Sequence, residues 1–435
     1  MPYVVGIDLG HTRATAAVCR RTQGAWGDAD VVSLGEGTRW AESALHVSRD
    51  GSALFGRAAR HLAAAEPEGL ATGLLARVGD DVPMLVQNMP YRGEVLAATL
   101  AGWVVDEVAE AERGPAERIV LTHPPGWGTH RRAALHAALD EAGMPGVLLL
   151  PSPVAAAESR DPVDVGSVLA VCRLGGEHVE SAVLRRGPAA FDLLASTGNA
   201  APQVGARIDD LVLEHVLARA GSAMPQHTDA ATRAALGRLR VACTEAKERL
   251  SLSPDVTVPV AGFPGTLPGT LPALEEVRLT RSDLEHLARP VLAAALAQLR
   301  QIASPIPADR LSAVVLVGGS ARIPLVTDLA QESFSCPVLV DPDPGTAVCR
   351  GAALAARPRM ALTDGSEPMR EPGALALREF EQFSAEVDDG EFDEPPPRPP
   401  VEITPLEAPK RFAIPGRRRS RNEDSQRASV SEHSQ

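Results

Sequence analysis

The stretch Ala313-Val-Val-Leu-Val-Gly-Gly-Ser-Ala-Arg-Ile-Pro-Leu325 decides the fold class of this chain. Its first five residues form an unbroken aliphatic run, which is typical of a strand that is buried on both faces of a sheet. Gly318 and Gly319 then break the strand. Ser320 is a candidate helix cap, and Pro324 is tolerated in the first turn of a helix. Such an arrangement presents bare backbone amides to a flat or anionic ligand, although an ordinary tight turn without a ligand fits equally well.

A second element of this kind lies near the N-terminus. Residues 3–7 and 14–18 form two strand-like runs, with Asp8-Leu-Gly-His-Thr12 between them. Gly10 permits close approach of the backbone to a phosphate, and Thr12 adds a hydroxyl donor. Asp8 is a candidate ligand for Mg²⁺ through water. A hairpin turn that binds nothing is the alternative interpretation.

Composition narrows the class of protein. The chain has 435 residues, enough for two or three domains, and its net charge of −13 argues against a general nucleic-acid coat. The 5 cysteines are odd in number and form no Cys-x-x-Cys pair, which fits reduced thiols and gives no zinc site. The sequence contains no apolar run of transmembrane length and no signal-peptide layout, so we expect a soluble cytoplasmic protein.

The two elements, at opposite ends of one long α/β chain, resemble the nucleotide-binding loops of the actin-like ATPases. Residues 8–12 are similar to the first phosphate loop of that superfamily, and residues 317–324 are similar to its adenosine loop. Within the superfamily, the chain resembles the nucleotide-binding part of the seventy-kilodalton heat-shock (DnaK-like) chaperones. Further segments resemble landmarks of that family in the right order: 51–59, 122–132, 151–157, 238–251 and 341–353. An ordered set of this kind is far more specific than any single motif.

The resemblance implies an α/β fold of the actin-like ATPase type, with two lobes that each contain a ribonuclease-H-like mixed sheet flanked by helices. We expect the first lobe over residues 1–186 and the second over residues 187–357. Helical spacing of apolar residues, alternating with strand-like runs, supports an α/β chain and is found at 95–113, 131–142, 209–220, 230–250 and 280–302. A sugar kinase of the same superfamily is a more distant alternative, because no stretch carries a sugar-site signature.

The C-terminal part of the chain differs in composition. Residues 358–435 are rich in Pro, Glu, Asp, Ser and Arg and poor in aliphatic residues, which predicts a disordered tail. Segregated charge is usually solvated, and the alternative is a hook for a partner, with Ser420 and Ser429 open to phosphorylation. A chaperone of the resembled family would carry a β-rich peptide-binding domain here. This tail is too short and polar to form one, so refolding of the usual kind is not expected. Residues 259–272, rich in Pro and Gly, are interpreted as a surface loop.

The resemblance also implies a site for ATP or ADP with Mg²⁺. On the phosphate side the matching residues are Gly10, His11, Thr12, Gly175 and Gly176. On the adenosine side they are Lys247, Ser251, Gly318, Gly319, Ser320 and Arg322. Lys247 and Ser251 are four residues apart and therefore share one helix face. A solvated helix cation is the alternative interpretation of Lys247.

Three segments depart from the resembled family. Its second phosphate loop, Asp-Leu-Gly-Gly-Gly-Thr, is Arg173-Leu-Gly-Gly-Glu-His178 here, and its connecting-segment Glu is Ser152. No Lys stands at the place of its catalytic Lys, and Arg77 is the nearest cation. Phosphoryl transfer depends on positioning and electrostatics, so these losses predict weak or absent hydrolysis. Arg173 is a candidate for partial compensation, by neutralising phosphate charge or by taking the place of the metal.

Three functions remain open at this stage. The first is a nucleotide-dependent switch, or a chaperone-like ATPase with little hydrolysis, whose lobe closure is read by a protein partner through the lobes or the tail. The second is an active Mg²⁺-dependent ATPase in which Asp8 holds the metal and Arg173 or Arg77 stabilises charge. The third is an interaction scaffold that keeps the fold and binds no nucleotide.

Overall fold

The computed structural model describes residues 1–358, apart from residues 36, 161, 198–202, 222–229 and 261–274. Nearly all of the predicted surface loop at 259–272 lies outside the described residues. So do the predicted tail after its first residue, and with it Ser420 and Ser429.

The strands of the described residues are numbered in chain order. They are β1 (Tyr3–Leu9), β2 (Arg13–Thr22), β3 (Ala25–Val32), β4 (Ala41–Glu42), β5 (Ala44–Val47), β6 (Ala53–Phe55), β7 (Leu70–Thr72), β8 (Met84–Val86), β9 (Met89–Tyr91), β10 (Arg118–His123), β11 (Leu148–Pro151), β12 (Val168–Leu174), β13 (Val179–Arg186), β14 (Phe191–Ser196), β15 (Asp255–Pro259), β16 (Glu276–Thr280), β17 (Leu311–Val317) and β18 (Val338–Val340).

The helices are numbered in the same way. They are α1 (Gly56–Ala63), α2 (Gly93–Glu112), α3 (Thr129–Glu141), α4 (Ser152–Glu158), α5 (Gly205–Arg219), α6 (Ala230–Leu250), α7 (Arg281–Ala303), α8 (Pro324–Ser333) and α9 (Ala347–Ala356). Among the described residues, no helix combines the length and the apolar character needed to cross a bilayer.

A six-strand sheet and a five-strand sheet form the framework of the fold. Five strands of the first repeat the topology of the second, and its sixth strand, β4, pairs with β2. The first has the order β11-β10-β1-β2-β3, and the second, taken from its parallel edge, has the order β18-β17-β12-β13-β14. In each sheet a central strand is parallel to one neighbour and antiparallel to the next, namely β1 in the first sheet and β12 in the second. The predicted α/β fold with two mixed sheets is confirmed.

The predicted boundary between the lobes needs a correction. Strands β12 and β13, which the sequence analysis assigned to the first lobe, pair with β17 and β14 of the second sheet. A boundary between residues 186 and 187 would therefore cut this sheet. The second sheet begins at Val168, so the chain passes from one sheet to the other between α4 and β12. The error arose because pairing partners more than 100 residues apart leave no local signal in the sequence.

Each sheet has an aliphatic core against its own helices, and a third core joins the two sheets. This third core contains apolar residues of β1, β12 and β17 together with four residues of α4 and six residues of α9. Helix α9 packs on α4 and also on β1, β2 and β10. The close approach of α9 to α4 and to β1 requires glycine at two positions. A Cβ on Gly351 of α9 would lie 1.6 Å from the carbonyl oxygen of Ala155 in α4, and a Cβ on Gly6 of β1 would lie 2.1 Å from the amide nitrogen of Ala353 in α9.

The local predictions around the two loops largely hold. The first two strands form the expected antiparallel hairpin, and β17 covers the predicted buried strand before Gly318. Pro324 is the first residue of α8, as expected. The prediction that Ser320 caps this helix is wrong. Ser320 lies within a single 3₁₀ turn at Gly319–Arg322, and Ile323 occupies the cap position.

The contact between α4 and α9 predicts opposite effects for the same substitution at two helical glycines. The methyl group of Gly351→Ala would overlap the backbone carbonyl of Ala155. We therefore expect a loss of about 1–3 kcal/mol or more in the free energy of unfolding. Gly237→Ala in α6 is the matched control, because nothing lies within 4 Å of the added methyl group there. Higher helix propensity then predicts a gain of up to about 1 kcal/mol. Urea unfolding of both variants measures the difference, and equal effects would contradict the packing.

Candidate functional site

Two hairpin turns of the same geometry face one another between the sheets. The first phosphate loop (residues 8–12) joins β1 to β2, and the Gly10 amide donates to the Arg13 carbonyl at 2.9 Å. The second phosphate loop (residues 173–178) joins β12 to β13, and the Gly175 amide donates to the His178 carbonyl at 3.0 Å. A Cβ on Gly176 would lie 2.6 Å from Cγ2 of Thr12, so the loops are in contact. The structure thus brings together all the residues predicted for the phosphate side.

The side chain of Arg173 lies at the centre of this site. Its Nη2 is 2.7 Å from Oδ2 of Asp8, and its Nη1 is 3.3 Å from both carboxylate oxygens of Glu180. A Cβ on Gly10 would lie 3.2 Å from the same Nη2, so the guanidinium lies against the first phosphate loop. The guanidinium links the carboxylates of two different sheets.

Burial and charge act against each other on this cluster. Burial raises the pKa of Asp8, whereas the Arg173 guanidinium and a 2.7 Å hydrogen bond from the Thr122 hydroxyl oppose that rise. Burial by itself lowers the pKa of Arg173, but the carboxylates of Asp8 and Glu180 outweigh it and the pKa is raised overall. An arginine does not deprotonate in proteins, so the positive charge is permanent.

A Mg²⁺ ion, which the resemblance implies, does not fit beside Asp8. Oδ1 of Asp8 accepts from Thr122 and Oδ2 accepts from Arg173, so each oxygen has one hydrogen-bond donor and a cation lies against Oδ2. Two unit positive charges 4 Å apart repel by about 4 kcal/mol at an effective dielectric constant of about 20, and a divalent ion doubles this figure. The predicted role of Asp8 as a metal ligand therefore conflicts with the position of the guanidinium.

Glu180 is a site residue that the sequence analysis missed. It lies directly opposite Arg173 in the register of β12 and β13, and the hydroxyl of Ser152 donates a short hydrogen bond to its Oε2. Ser152 stands where the resembled family has a Glu. The carboxylate of Glu180, which reaches Ser152 from β13, therefore supplies a negative charge beside this position. The signal was present in the sequence, because residues 173 and 180 are equidistant from the centre of the hairpin and cross-strand partners share a face.

A second contact joins the tips of the two loops. Nε2 of His11 is 2.6 Å from Oε2 of Glu177, and the ring of His178 meets the His11 ring edge-on at a centroid distance of 4.8 Å. Burial lowers the pKa of His11, partly against the charge of Glu177. The Nε2 hydrogen of His11 is donated to the Glu177 carboxylate, and this contact joins the tips of the two loops.

The adenosine loop follows β17 and contacts the second phosphate loop. Gly318 has a φ of +92°, which favours glycine, and its amide donates to the Pro344 carbonyl at 2.6 Å. The Ser320 hydroxyl donates to the Gly175 carbonyl at 3.3 Å, so this residue connects the two loops instead of capping α8. Nothing lies within 4 Å of a Cβ built on Gly319, which therefore faces open space.

The predicted cations of the adenosine side are held by carboxylates. Nζ of Lys247 is buried, 2.8 Å from Asp209 and 3.3 Å from the Gly205 carbonyl. Burial raises the pKa of Asp209, and the Lys247 charge opposes that rise. Ser251 follows α6 by one residue, and its hydroxyl contacts the Lys247 carbonyl at 3.4 Å. These residues lie together, so the alternative of a solvated helix cation does not hold for Lys247.

Two ion pairs connect the halves of the molecule across this region. Arg13 of β2 pairs with Glu248 of α6 at 2.6 Å, and its guanidinium lies 3.8 Å from the ring centroid of Trp40. Arg39 pairs at 2.9 Å with Asp343, which also pairs with Arg322 of the adenosine loop. Both pairs join a residue before β5 to a residue of the second half.

Arg77 does not take the place of the missing Lys. Its Nε is 3.2 Å from Asp80, and its Nη2 donates to the Val82 carbonyl at 2.9 Å. Arg131 pairs with the same Asp80 at 3.1 Å. The guanidinium of Arg77 is thus held by its own loop, apart from the cluster of Asp8, Arg173 and Glu180.

The fold and the three loops define the class as an ATPase domain of the actin-like type. The family model for the Hsp70 protein matches residues 80–359, which is more than half of the chain. The chain therefore belongs to the Hsp70 family.

Individual relatives agree with this assignment. The chain is 27% identical over 375 residues to the chaperone protein DnaK of Thermotoga petrophila, a match that covers 84% of this chain and 61% of the relative. It is 26% identical to DnaK of Nitrosopumilus maritimus, covering 82% and 56%, and 29% identical to the chaperone protein HscA of Escherichia coli, covering 81% and 57%. The chain thus spans about three fifths of the length of these curated relatives.

His123, beside the residue that bonds Asp8, predicts a loss of stability in acid. Its ring is buried against Trp127, its Nδ1 contacts the Pro124 carbonyl at 2.7 Å, and burial lowers its pKa from 6.5 to about 4. Above pH 6.5 the ring is neutral in both the folded and the unfolded chain, so it adds nothing to the pH dependence. Between pH 6.5 and about 4 only the unfolded chain takes up the proton. The free energy of unfolding therefore decreases as the pH is lowered through this range, by up to about 1.4 kcal/mol per pH unit.

His123→Asn removes this titration and keeps a side-chain donor for Pro124. We expect urea unfolding at pH 7 and pH 4.5 to show a smaller acid loss in the variant than in the parent chain. An equal loss in both proteins would contradict the buried neutral state of His123.

Proposed function

We propose that this chain binds an adenine nucleotide between its two sheets and acts as a nucleotide-dependent switch with little or no hydrolysis. The observation that carries the proposal is the guanidinium of Arg173, held between Asp8 and Glu180 where the resembled family has a carboxylate that organises metal and water. The glycine loops support binding, whereas this change removes a group needed for hydrolysis.

The binding part rests on the two phosphate loops and the adenosine loop. The Gly10 and Gly175 amides close two turns that are in contact through Thr12 and Gly176, and Ser320 ties the adenosine loop to the second of these turns. Glycine turns of this kind place amide groups at a distance that suits phosphate oxygens. The chaperone names of the DnaK and HscA relatives support a chaperone-like role.

The switch part rests on the ion pairs between the halves. Arg13–Glu248 and Arg39–Asp343 each join groups from opposite sides of the site. A nucleotide that separates or tightens these pairs changes the relative populations of open and closed forms, and a protein partner then reads the difference. The partner binds through the lobes or through the tail.

A second candidate function, an interaction scaffold without a nucleotide, is favoured by one observation. The cations of the site are each paired with a carboxylate of the chain itself: Arg13 with Glu248, Arg173 with Asp8 and Glu180, Lys247 with Asp209, and Arg322 with Asp343. A scaffold predicts no thermal stabilisation by ATP, ADP or GTP, because stabilisation requires binding to the folded state.

Gly319→Val tests nucleotide binding without disturbing the fold. The side chain enters open space in the adenosine loop, so we expect an unchanged melting temperature and a loss of about tenfold or more in affinity for ADP by calorimetry. Gly114→Val is the control, because it also adds a side chain with nothing within 4 Å, at the end of α2. Unchanged affinity in Gly319→Val would rule out the adenosine loop as the binding site.

The rate of phosphate release tests the second half of the proposal. We expect release from saturating ATP to be slower than in an active chaperone of the family by roughly 10²- to 10⁴-fold, because water-positioning groups are missing. A rate similar to that of the active chaperone, dependent on Mg²⁺ and abolished by Asp8→Asn, would instead establish the alternative of a rearranged ATPase.

A further inference from the structure

The guanidinium of Arg173 lies beside the first phosphate loop, between the two sheets. It lies against the backbone of Gly10 and bridges Asp8 of β1 and Glu180 of β13. Its side chain is 14% exposed, so it is enclosed by the two loops and still accessible to a ligand. The positive charge that the family obtains from a metal ion is part of the chain here.

The donor geometry leaves this cation able to bind a ligand. A guanidinium carries five N–H groups in a planar fork. Nη2 directs one of them to Asp8, and Nη1 shares its contact between the two oxygens of Glu180 at 3.3 Å, which is long for a charged pair. The contact with Glu180 is therefore the weaker one, and phosphate oxygens compete with it for a planar fork that suits them.

We propose that this site binds its adenine nucleotide without a divalent metal, with the Arg173 guanidinium as the cation that faces the phosphates. This inference rests on the proposed nucleotide binding. It specifies that the ligand is the nucleotide anion without bound Mg²⁺. Because Mg²⁺ sequesters free ATP, and because a dication at Asp8 would be repelled by the adjacent Arg173 guanidinium, the metal does not improve binding.

Calorimetric titration of ATP and ADP into the full chain, once in EDTA and once in millimolar MgCl₂, tests the inference. We expect ATP to bind as tightly in EDTA as in MgCl₂, or more tightly. Binding that becomes about tenfold or more tighter with MgCl₂ overturns the metal-free site and leaves the proposed nucleotide binding intact. Absence of binding in both buffers overturns both proposals together.

Arg173→Gln identifies the group responsible. It removes the charge and keeps most of the side chain, so we expect the affinity for ATP in EDTA to fall by about tenfold or more. Arg185→Gln is the matched control on the neighbouring strand, where the Arg is half exposed and pairs only with Asp192, at 3.4 Å. Equal effects of the two substitutions would overturn the role of Arg173.

Two substitutions of opposite direction complete the test. Arg173→Asp places a third carboxylate beside Asp8 and Glu180, and we expect metal-free binding to be lost and binding dependent on MgCl₂ to appear. Asp8→Asn removes a competitor for the guanidinium, so we expect tighter binding of ATP in EDTA, and this holds as a test even if Arg173→Asp fails to fold. Weaker binding of ATP in EDTA by Asp8→Asn would show that Asp8 supports the nucleotide site instead of competing for the guanidinium, and would overturn the inference.

Discussion

The ion pair between Asp8 and Arg173 is the interaction on which the site depends. The two residues occupy equivalent positions, each two residues before the turn glycine of its hairpin, in sheets of the same topology. Two carboxylates at these positions would repel each other and attract a dication. A carboxylate and a guanidinium attract each other directly, so the chain supplies its own cation at the proposed site.

The surrounding structure is organised to hold this pair. Helices α4 and α9 lie between the sheets and approach so closely that Gly351 has no room for a methyl group. This contact fixes the distance between β1 and β12, which carry the two charged residues. The hydroxyl of Ser152, the first residue of α4, donates to Glu180 and so connects α4 to the charged cluster. The packing of small residues in the central core therefore determines the geometry of a charged site at its edge.

The pairing of cations with carboxylates has a consequence for affinity. A phosphate that binds Arg173 must compete with Glu180, and a ribose that binds Lys247 must compete with Asp209. Such competition costs part of the binding energy, and breaking a buried pair leaves the released carboxylate to be neutralised or solvated. In the proposed nucleotide site, this competition favours moderate affinity over tight retention.

The sequence alone determined the fold class, because aliphatic runs that end in glycine turns specify buried strands and loops through local chemistry. It also determined which residues line the loops: Gly10, Thr12, Gly175 and Gly318 lie where the resemblance placed them. Pairing between distant strands was decided only by the tertiary structure, which moved the first strand of the second sheet back to Val168. Ser320 likewise was a cap by local rules, whereas the approach of Gly175 gave its hydroxyl another acceptor. The partners of Arg173 depend on the contact between two sheets, and no local pattern encodes a distance across such an interface.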